Sequence, residues 1–588
     1  MNGKVTGKAF DLIIFKRLML YIKHYRFEFI LATVAVLVLA GLAAVRPVLL
    51  RIIVDDYILN KNVQQLLNFS LIMFGVLLFE VVFQFLFIFF ANWLGQHIIK
   101  DIRTQLFDKL LKFKMQYFNK TPVGKLVTRV VSDIEIIASI FGQGLFAIIS
   151  DLLQMLVIII IMLLMNWRLG LIVIAVLPIM IYATKIFQIK IKSTFQEVRT
   201  QVANLNSFVQ ERISGMKIVQ LFTREKIEYD KFIQINDKHK KANVRTVWYY
   251  SIFFPIVEIL SSITLGIIVW YGGLAAAVDG AASFGTITSF ITMSSMLFRP
   301  LRQIADKFNT LQMGMVAAER VFAVLDENEE EVDTGTLEVE HLKGEITFEN
   351  VYFRYLEDEP VLRGISFKVK QGETVAVVGA TGAGKSTIIN LLSRFYTIDS
   401  GSIMIDGIDL NKFTLSSLRN QISVVLQDVF LFSDTILNNI TLNNDNISLE
   451  EVQEAAKKIG IHSFIMTLPN NYHYNVKERG GMLSSGQRQL IAFLRAYVST
   501  PAILILDEAT SSIDAQSEAL IQKATNTITK NRTSIVIAHR LATIKKADKI
   551  IVMEKGKIVE QGTHLELLKQ KGYYSKLYEI QFETAKAS

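Results

Sequence analysis

Apolar residues are distributed in two different ways along this chain. Up to about residue 305 they form long unbroken runs, and beyond it they alternate with polar residues or recur at helical spacing, as in water-soluble α/β sequence. Crossing the hydrocarbon core of a bilayer takes about 20 mostly apolar residues. Six runs are candidates, centred on Phe27–Leu50, Leu67–Leu94, Phe141–Leu164, Leu169–Ile186, Trp248–Tyr271 and Ile287–Leu301, the last passing into a more polar helical continuation. Only Asn166-Trp167-Arg168 and a few neighbours separate the third and fourth, which predicts a helical hairpin. Beyond the boundary, Glu345–Val351 alternates like a strand, and Val375–Val378 reads as a buried strand followed by a helix from Ile388.

Charge orients the first half. The connection between the second and third runs carries Lys100, Arg103, Lys109, Lys112, Lys114, Lys120, Lys125 and Arg129, and the one between the fourth and fifth is as basic, while the remaining connections hold only Arg51, Lys61 and Arg168. The Lys/Arg bias puts the two long connections, and with them both chain ends, in the cytoplasm. Ile102, Leu106, Leu110 and Leu111 recur at helical spacing, so these connections are expected to continue the membrane helices. Residues 1–26 mix basic and apolar side chains without a secretory cleavage pattern, which predicts a helix lying on the cytoplasmic membrane face. The acidic run 326–331, with Asp333, reads as a solvated linker. The expected division is therefore an interfacial region 1–26, a membrane domain 27–325, a linker 326–340 and a soluble domain 341–588.

Composition narrows the chemistry. With 51% hydrophobic and 20% charged residues the chain is not disordered, and with no Cys it has no disulfide framework, thiolate zinc site, iron–sulfur cluster or thiol nucleophile. The net charge of +9 fits cytoplasmic loops beside anionic headgroups better than nucleic acid, which is not expected as a partner.

The catalytic candidates lie in the second half. Gly379-Ala380-Thr381-Gly382-Ala383-Gly384-Lys385-Ser386, followed by Thr387, is G-x-x-x-x-G-K-S between a strand and a helix. Glycines let successive backbone N–H groups face one anion, the helix N-terminus adds partial positive charge, Lys385 reaches the outer phosphates, and the Ser386 hydroxyl suits Mg²⁺. Further on, Ala502–Leu506 reads as a buried strand ending in Asp507 and Glu508. Asp507 suits the Mg²⁺ shell, and Glu508, pointing differently, can act as base toward an attacking water.

Leu483-Ser484-Ser485-Gly486-Gln487 makes the resemblance specific. The sequence resembles ATP-binding cassette (ABC) exporters of the half-transporter kind, in which an all-α six-helix transmembrane domain is followed by an α/β P-loop NTPase domain. It departs from the family signature L-S-G-G-Q in having Ser485 at the first glycine. The resemblance covers nearly the whole chain. It implies ATP and Mg²⁺ as cofactors, Tyr355 as the aromatic that stacks on adenine, Gln427 as a Mg²⁺-sensing residue linked to the membrane loops, Asp514 in Ser511-Ser512-Ile513-Asp514, and His539 as a γ-phosphate contact. Tyr117-Phe118-Asn119 with Gly124–Asp133 looks like the first intracellular loop of the family, and Gln210–Gly215 with Phe222 and Glu225 like the second. These loops carry short transverse helices that dock on nucleotide-binding domains.

In the family, the signature of one subunit, here Ser484, Ser485, Gly486 and Gln487, completes the site around the ATP held by the P-loop of the other. One P-loop and one signature in this chain therefore imply a second half-transporter subunit, by default an identical one, with a heterodimer also open. The resemblance further implies an integral protein of a bacterial inner (plasma) membrane, with lipid around it and the nucleotide-binding domain in the cytoplasm. Three functions stay open: export of a hydrophobic or amphipathic, drug-like molecule by alternating access; flipping of a lipid or lipid-linked saccharide; and a non-transporting ATP-gated channel or regulator, which intact Glu508 and His539 argue against. Arg46, Glu80, Asp151, Glu258 and Arg299 lie inside apolar runs and are candidates either for the pathway or for helix-to-helix pairing.

Overall fold

A computed structural model describes residues 11–278, 283–507, 515–538 and 540–579. The chain divides into two compact units, one of Met1–Lys112 and Thr121–Asn328, the other of Phe113–Lys120 and Glu329–Ser588.

The described part of the first unit is helical. The Asp11 carboxylate accepts from the Ile13 and Ile14 amides and starts α1, Leu12–Ile22. Then come α2, Arg26–Leu42, α3, Val45–Ile52, and α4, Val63–Leu111. After α5, Met115–Lys120, which belongs to the second unit, the helices are α6, Val123–Thr128, α7, Ile134–Ser139, α8, Phe146–Met165, α9, Trp167–Ser214, α10, Met216–Leu221, α11, Glu225–Val278, and α12, Phe284–Leu325. The 49 residues of α4 make a rod about 74 Å long at 1.5 Å per residue, more than twice what a bilayer core needs, so the helices do run on past the apolar stretches.

Five helical stretches among the described residues are long and apolar enough to cross a membrane: Arg26–Ile58, Val63–Leu111, Val123–Met165, Trp167–Ser214 and Glu225–Ala277. The sixth expected span, in α12, is helical but falls short of that measure. Thr286, Thr288, Ser289, Thr292, Ser294 and Ser295 dilute its apolar run and Arg299 and Arg302 follow. Several of these hydroxyls satisfy themselves on the carbonyl one turn earlier, as Ser294 does on Phe290, and Ser289 donates to Pro47 O.

Small residues bring the helices together. The buried face of α2 is Ala32, Ala35, Val36 and Ala40, on which α4 and α8 pack. Asn166 makes the expected hairpin by accepting from Leu169 N at 3.1 Å, and Gly170 lets α9 pass Leu163, which a methyl there would meet at 3.0 Å. A core of Met162, Val173, Met180, Val257, Phe290 and Leu297 joins α8, α9, α11 and α12. Phe74, Phe79, Phe85 and Phe89 on α4 stay on the surface of the chain.

Four of the five charged candidates inside the apolar runs are in ion pairs, and none of the ion pairs among the described residues involves Arg299. Arg46 meets Glu80 at 2.9 and 3.1 Å, Asp151 meets Lys307 at 2.5 Å, and Glu258 meets Arg302 at 3.4 Å. In the second long connection, Arg212 at 2.5 Å, Arg224 at 3.2 Å and Lys231 at 3.2 Å converge on buried Glu228. The Arg212 guanidinium foremost holds the Glu228 carboxyl down at about 2. Because the folded value lies below the ordinary 4.5, this tie is fully present above the ordinary value and is lost as pH falls through about 2. Glu228→Gln removes it at neutral pH. Amide hydrogen exchange should rise across residues 212–231 while the apolar part of α11 stays protected; unchanged exchange in the loop would show that the cluster does not hold it.

Among its described residues the second unit has two sheets. Its strands are β1, Ile346–Leu356, β2, Glu359–Val369, β3, Thr374–Gly379, β4, Ser400–Ile405, β5, Ile408–Asp409, β6, Ile422–Val425, β7, Ile503–Asp507, β8, Thr533–Ile537, β9, Lys549–Glu554, and β10, Lys557–Gly562. Four form an antiparallel sheet in the order β2-β1-β4-β5. Six form a sheet ordered β10-β9-β3-β8-β7-β6, parallel except for β10. Alternation along its strands feeds two cores. Ala376, Val378, Leu504, Leu506 and Val536 enter one, and Val375, Val377, Ile503, Ile505 and Ile535 the other.

The acidic run is not a solvated linker throughout. Asp326 bonds Arg17 of α1 at 2.6 Å inside the first unit. In the second, Glu331 takes both amino groups of Arg419 at 2.5 and 2.9 Å. Asp333 accepts from the Leu415 and Gly335 amides and from Arg394, which hold its carboxyl below the usual range. Guanidinium groups distant in sequence dock the acids that local sequence leaves to water. The same unit includes α5 because Phe113 pairs with Glu330 in an antiparallel bridge and Lys114 N donates to Glu329 O at 2.9 Å.

Candidate nucleotide-binding site

The carboxyl ends of the parallel strands gather the sequence candidates, as open α/β sheets do. Strand β3 delivers Gly379, and Lys385–Leu392 follows as a helix capped by Gly384. Two glycines are required by geometry. Gly384 has φ +98° and a methyl there would meet Leu362 at 2.8 Å, and Gly379 has φ +153° with the Met553 carbonyl where a Cβ would stand.

Ala380, Thr381 and Gly382 are exposed on the rim of the loop, and Ser386 is exposed on the first helical turn, whereas Ala383, Gly384, Lys385 and Thr387 are buried. The Lys385 ammonium sits inside the loop, donating to Gly379 O at 2.8 Å and Ala380 O at 3.0 Å. Burial pulls it below the usual amine range, and the negative charge of Asp507 at the end of β7 opposes that shift. The structure thus brings Lys385 and Asp507 into one electrostatic site although 121 intervening residues separate them in sequence.

Tyr355, near the end of β1, joins them. Its hydroxyl accepts from Asn390 Nδ2 at 2.9 Å and donates to Thr387 Oγ1 at 3.3 Å, which pins the ring beside the P-loop helix. Asn390 and Tyr396, which packs edge-on against Tyr355 at 5.0 Å, are residues that sequence reasoning missed. Gln427 is exposed two residues beyond β6, at the same end of the sheet.

The signature lies on another element. Ser484 caps the helix Ser485–Val498 by accepting from Gln487 N at 3.2 Å, and the Gln487 side chain accepts from Ser484 N at 2.9 Å. In this capping box each side chain accepts from the backbone amide of the other residue. Ser485 is the first helical residue, exposed and with negative φ, so the departure from glycine introduces no backbone strain. Gly486 is buried beneath it. Glu508, Asp514 and His539 lie outside the described residues.

The donor set fits ATP with Mg²⁺. A rim of exposed loop residues around a buried ammonium suits a polyphosphate, and Ser386 and Asp507 would supply a hydroxyl and a carboxylate of the kind Mg²⁺ takes alongside phosphate oxygens and water. Among the described residues no cluster of three or more His, Asp or Glu forms a closed metal cage, and Mg²⁺ in this setting does not require one.

Comparison with known proteins agrees. Residues 29–301 match the family model for the ABC transporter transmembrane region, and residues 362–511 match that for the ABC transporter. The chain is 37% identical to the uncharacterized ABC transporter ATP-binding protein YknV of Bacillus subtilis (strain 168), over 99% of this chain and 97% of that protein. It is 35% identical to an ATP-dependent lipid A-core flippase of Syntrophus aciditrophicus (strain SB), over 97% and 95% of the two chains. It is also 35% identical, over 97% and 99%, to YgaD of Bacillus subtilis (strain 168), which is named for multidrug export as an ATP-binding/permease protein. The chain belongs to the ABC transporter family, as an ATP-hydrolysing exporter half that carries one transmembrane region and one nucleotide-binding domain.

Proposed function

We propose that two identical copies of this chain form an exporter in a bacterial inner membrane, with residues 341–588 of each in the cytoplasm, that moves hydrophobic or amphipathic drug-like molecules outward. The observation that carries the dimeric site is that the P-loop around Lys385 and the signature helix, which starts at the Ser484–Gln487 capping box, are separate elements of one chain. Half-transporter exporters work as dimers, and a signature from a second copy would close the open face of the loop. An exposed apolar surface on and around α10, made of Ile213, Ile218, Leu221 and Phe222, is consistent with a further docking surface for that copy.

In this reading the exposed rim of the P-loop binds phosphate oxygens through its backbone N–H groups, and Lys385 leaves the Gly379 and Ala380 carbonyls to reach the outer phosphates. Ser386, Asp507 and Gln427 would hold Mg²⁺. When bound, that ion neutralises charge on the phosphate oxygens. Tyr355 stacks on the adenine, Glu508 takes the proton of the attacking water, and His539 and Asp514 border the γ-phosphate. Ser484, Ser485, Gly486 and Gln487 of the second copy present a helix N-terminus to the same phosphate. Closure on ATP and opening after hydrolysis would drive alternating access of the membrane region, residues 27–325.

A second reading, lipid flipping, is favoured by the names of relatives such as the lipid A-core flippases. ATPase assays of the purified protein in nanodiscs decide between them. Stimulation by amphipathic drugs with matching uptake into inverted vesicles supports drug export, stimulation only by a change of lipid supports flipping, and ion current without coupled solute movement would overturn both.

A further inference from the structure

Within the second unit, three rings are packed mutually edge-on. Phe353 meets Tyr355 at 4.8 Å and 89°, Tyr355 meets Tyr396 at 5.0 Å and 86°, and Phe353 meets Tyr396 at 5.7 Å and 71°. One corner of the triangle is fixed to the P-loop helix, because the Tyr355 hydroxyl is held by Asn390 and Thr387. Another is fixed to the first intracellular loop, because the Tyr396 hydroxyl accepts from Asn119 Nδ2 at 2.6 Å. Asn119 lies near the end of α5, and the other end of that segment is anchored through Phe113 and Lys114 to residues 329–330.

We infer that Asn119 and Tyr396 are positioning residues for base recognition, so that the placement of segment 113–120 sets the affinity of the site for the adenine of ATP. The inference rests on the reading of Tyr355 as the adenine-stacking ring. Aromatic edges and faces attract only in particular orientations. In a close-packed cluster, a ring that loses its outer anchor settles into another discrete arrangement and does not shift smoothly. Tyr396 is the ring through which the loop touches Tyr355, and its hydroxyl carries the bond to Asn119. The phosphates are bound elsewhere, by the loop around Lys385. Displacement of α5 should therefore change the contribution of the base to binding and leave the contribution of the phosphates intact.

The test measures dissociation constants for ATP and for tripolyphosphate, which lacks a base, on the full-length protein in lipid nanodiscs, together with KM and kcat for ATP. Asn119→Ala should weaken ATP binding and raise KM by about fivefold, the factor set by one neutral hydrogen bond, with tripolyphosphate binding and kcat unchanged. Tyr396→Phe keeps the ring and removes only the hydroxyl, so it should reproduce that effect, and the double variant should be no weaker than either single one. Asn119→Asp should restore ATP affinity, since its carboxylate accepts from the Tyr396 O–H. Equal weakening of ATP and tripolyphosphate, or additive effects of the two substitutions, would overturn the proposal. Tyr355→Ala separates it from the reading beneath it. If that variant binds ATP normally, the adenine assignment fails; if it binds ATP weakly while Asn119→Ala binds it normally, only the positioning role fails.

Discussion

In the Glu508→Gln protein, steady-state ATP hydrolysis is expected to fall by roughly 10²- to 10⁴-fold, the usual contribution of a positioned general base, while ATP binding survives. Strand β7 ends in Asp507, whose charge acts on Lys385. Glu508 follows Asp507 by one position in the sequence, and in the proposed reading it serves the attacking water while Asp507 serves the metal. Glutamine keeps the size and hydrogen-bonding reach of the side chain but cannot take a proton, so the loss should fall on kcat and leave KM near its starting value. Lys385→Ala is the contrast. It removes the cation buried inside the phosphate loop and should lower ATP binding as well as turnover. Hydrolysis at the original rate by Glu508→Gln would remove Glu508 as the base, and loss of ATP binding would make it a binding residue instead.

What was legible in the sequence is what short-range pattern encodes. The strand, glycine loop and helix around Lys385 are contiguous, and their chemistry needs backbone geometry that only that spacing supplies. Strand β7 was legible for the same reason, since a run of apolar residues ending in acids implies burial with a polar end. The hairpin at Asn166 needs one capping side chain three residues from its target. The remaining features depend on residues far apart in the chain. Tyr396 and Asn119 are 277 positions apart, and nothing in either neighbourhood specifies the other. Glu331 and Arg419, 88 apart, turn part of an acidic run into a docked segment. The sixth expected span, in α12, falls short because hydroxyl residues dilute its apolar run, and several of those hydroxyls bond back to their own helix, which lessens their cost in an apolar setting.

The pair Asp151–Lys307 carries the other large effect. Asp151 lies in the third apolar run, where an ionisable residue is a candidate for the transport pathway, whereas Lys307 lies past the sixth. Their atoms approach to 2.5 Å, and the side chains are only 16% and 21% exposed. Removing one member of such a pair leaves a charge with little water around it, at a cost of about 3–5 kcal/mol, whereas replacing both with apolar residues is often neutral. Lys307→Leu should therefore destabilise the membrane unit severely, and Asp151→Leu combined with Lys307→Leu should recover most of the loss. All four Trp, at 93, 167, 248 and 270, lie in the first unit, so intrinsic fluorescence during thermal unfolding reports that unit separately from the soluble one. Single and double variants that melt alike would show that the pair does not bind α8 to α12. A double variant that regains stability yet loses drug-stimulated ATPase activity would place Asp151 on the transport pathway as well as in the packing.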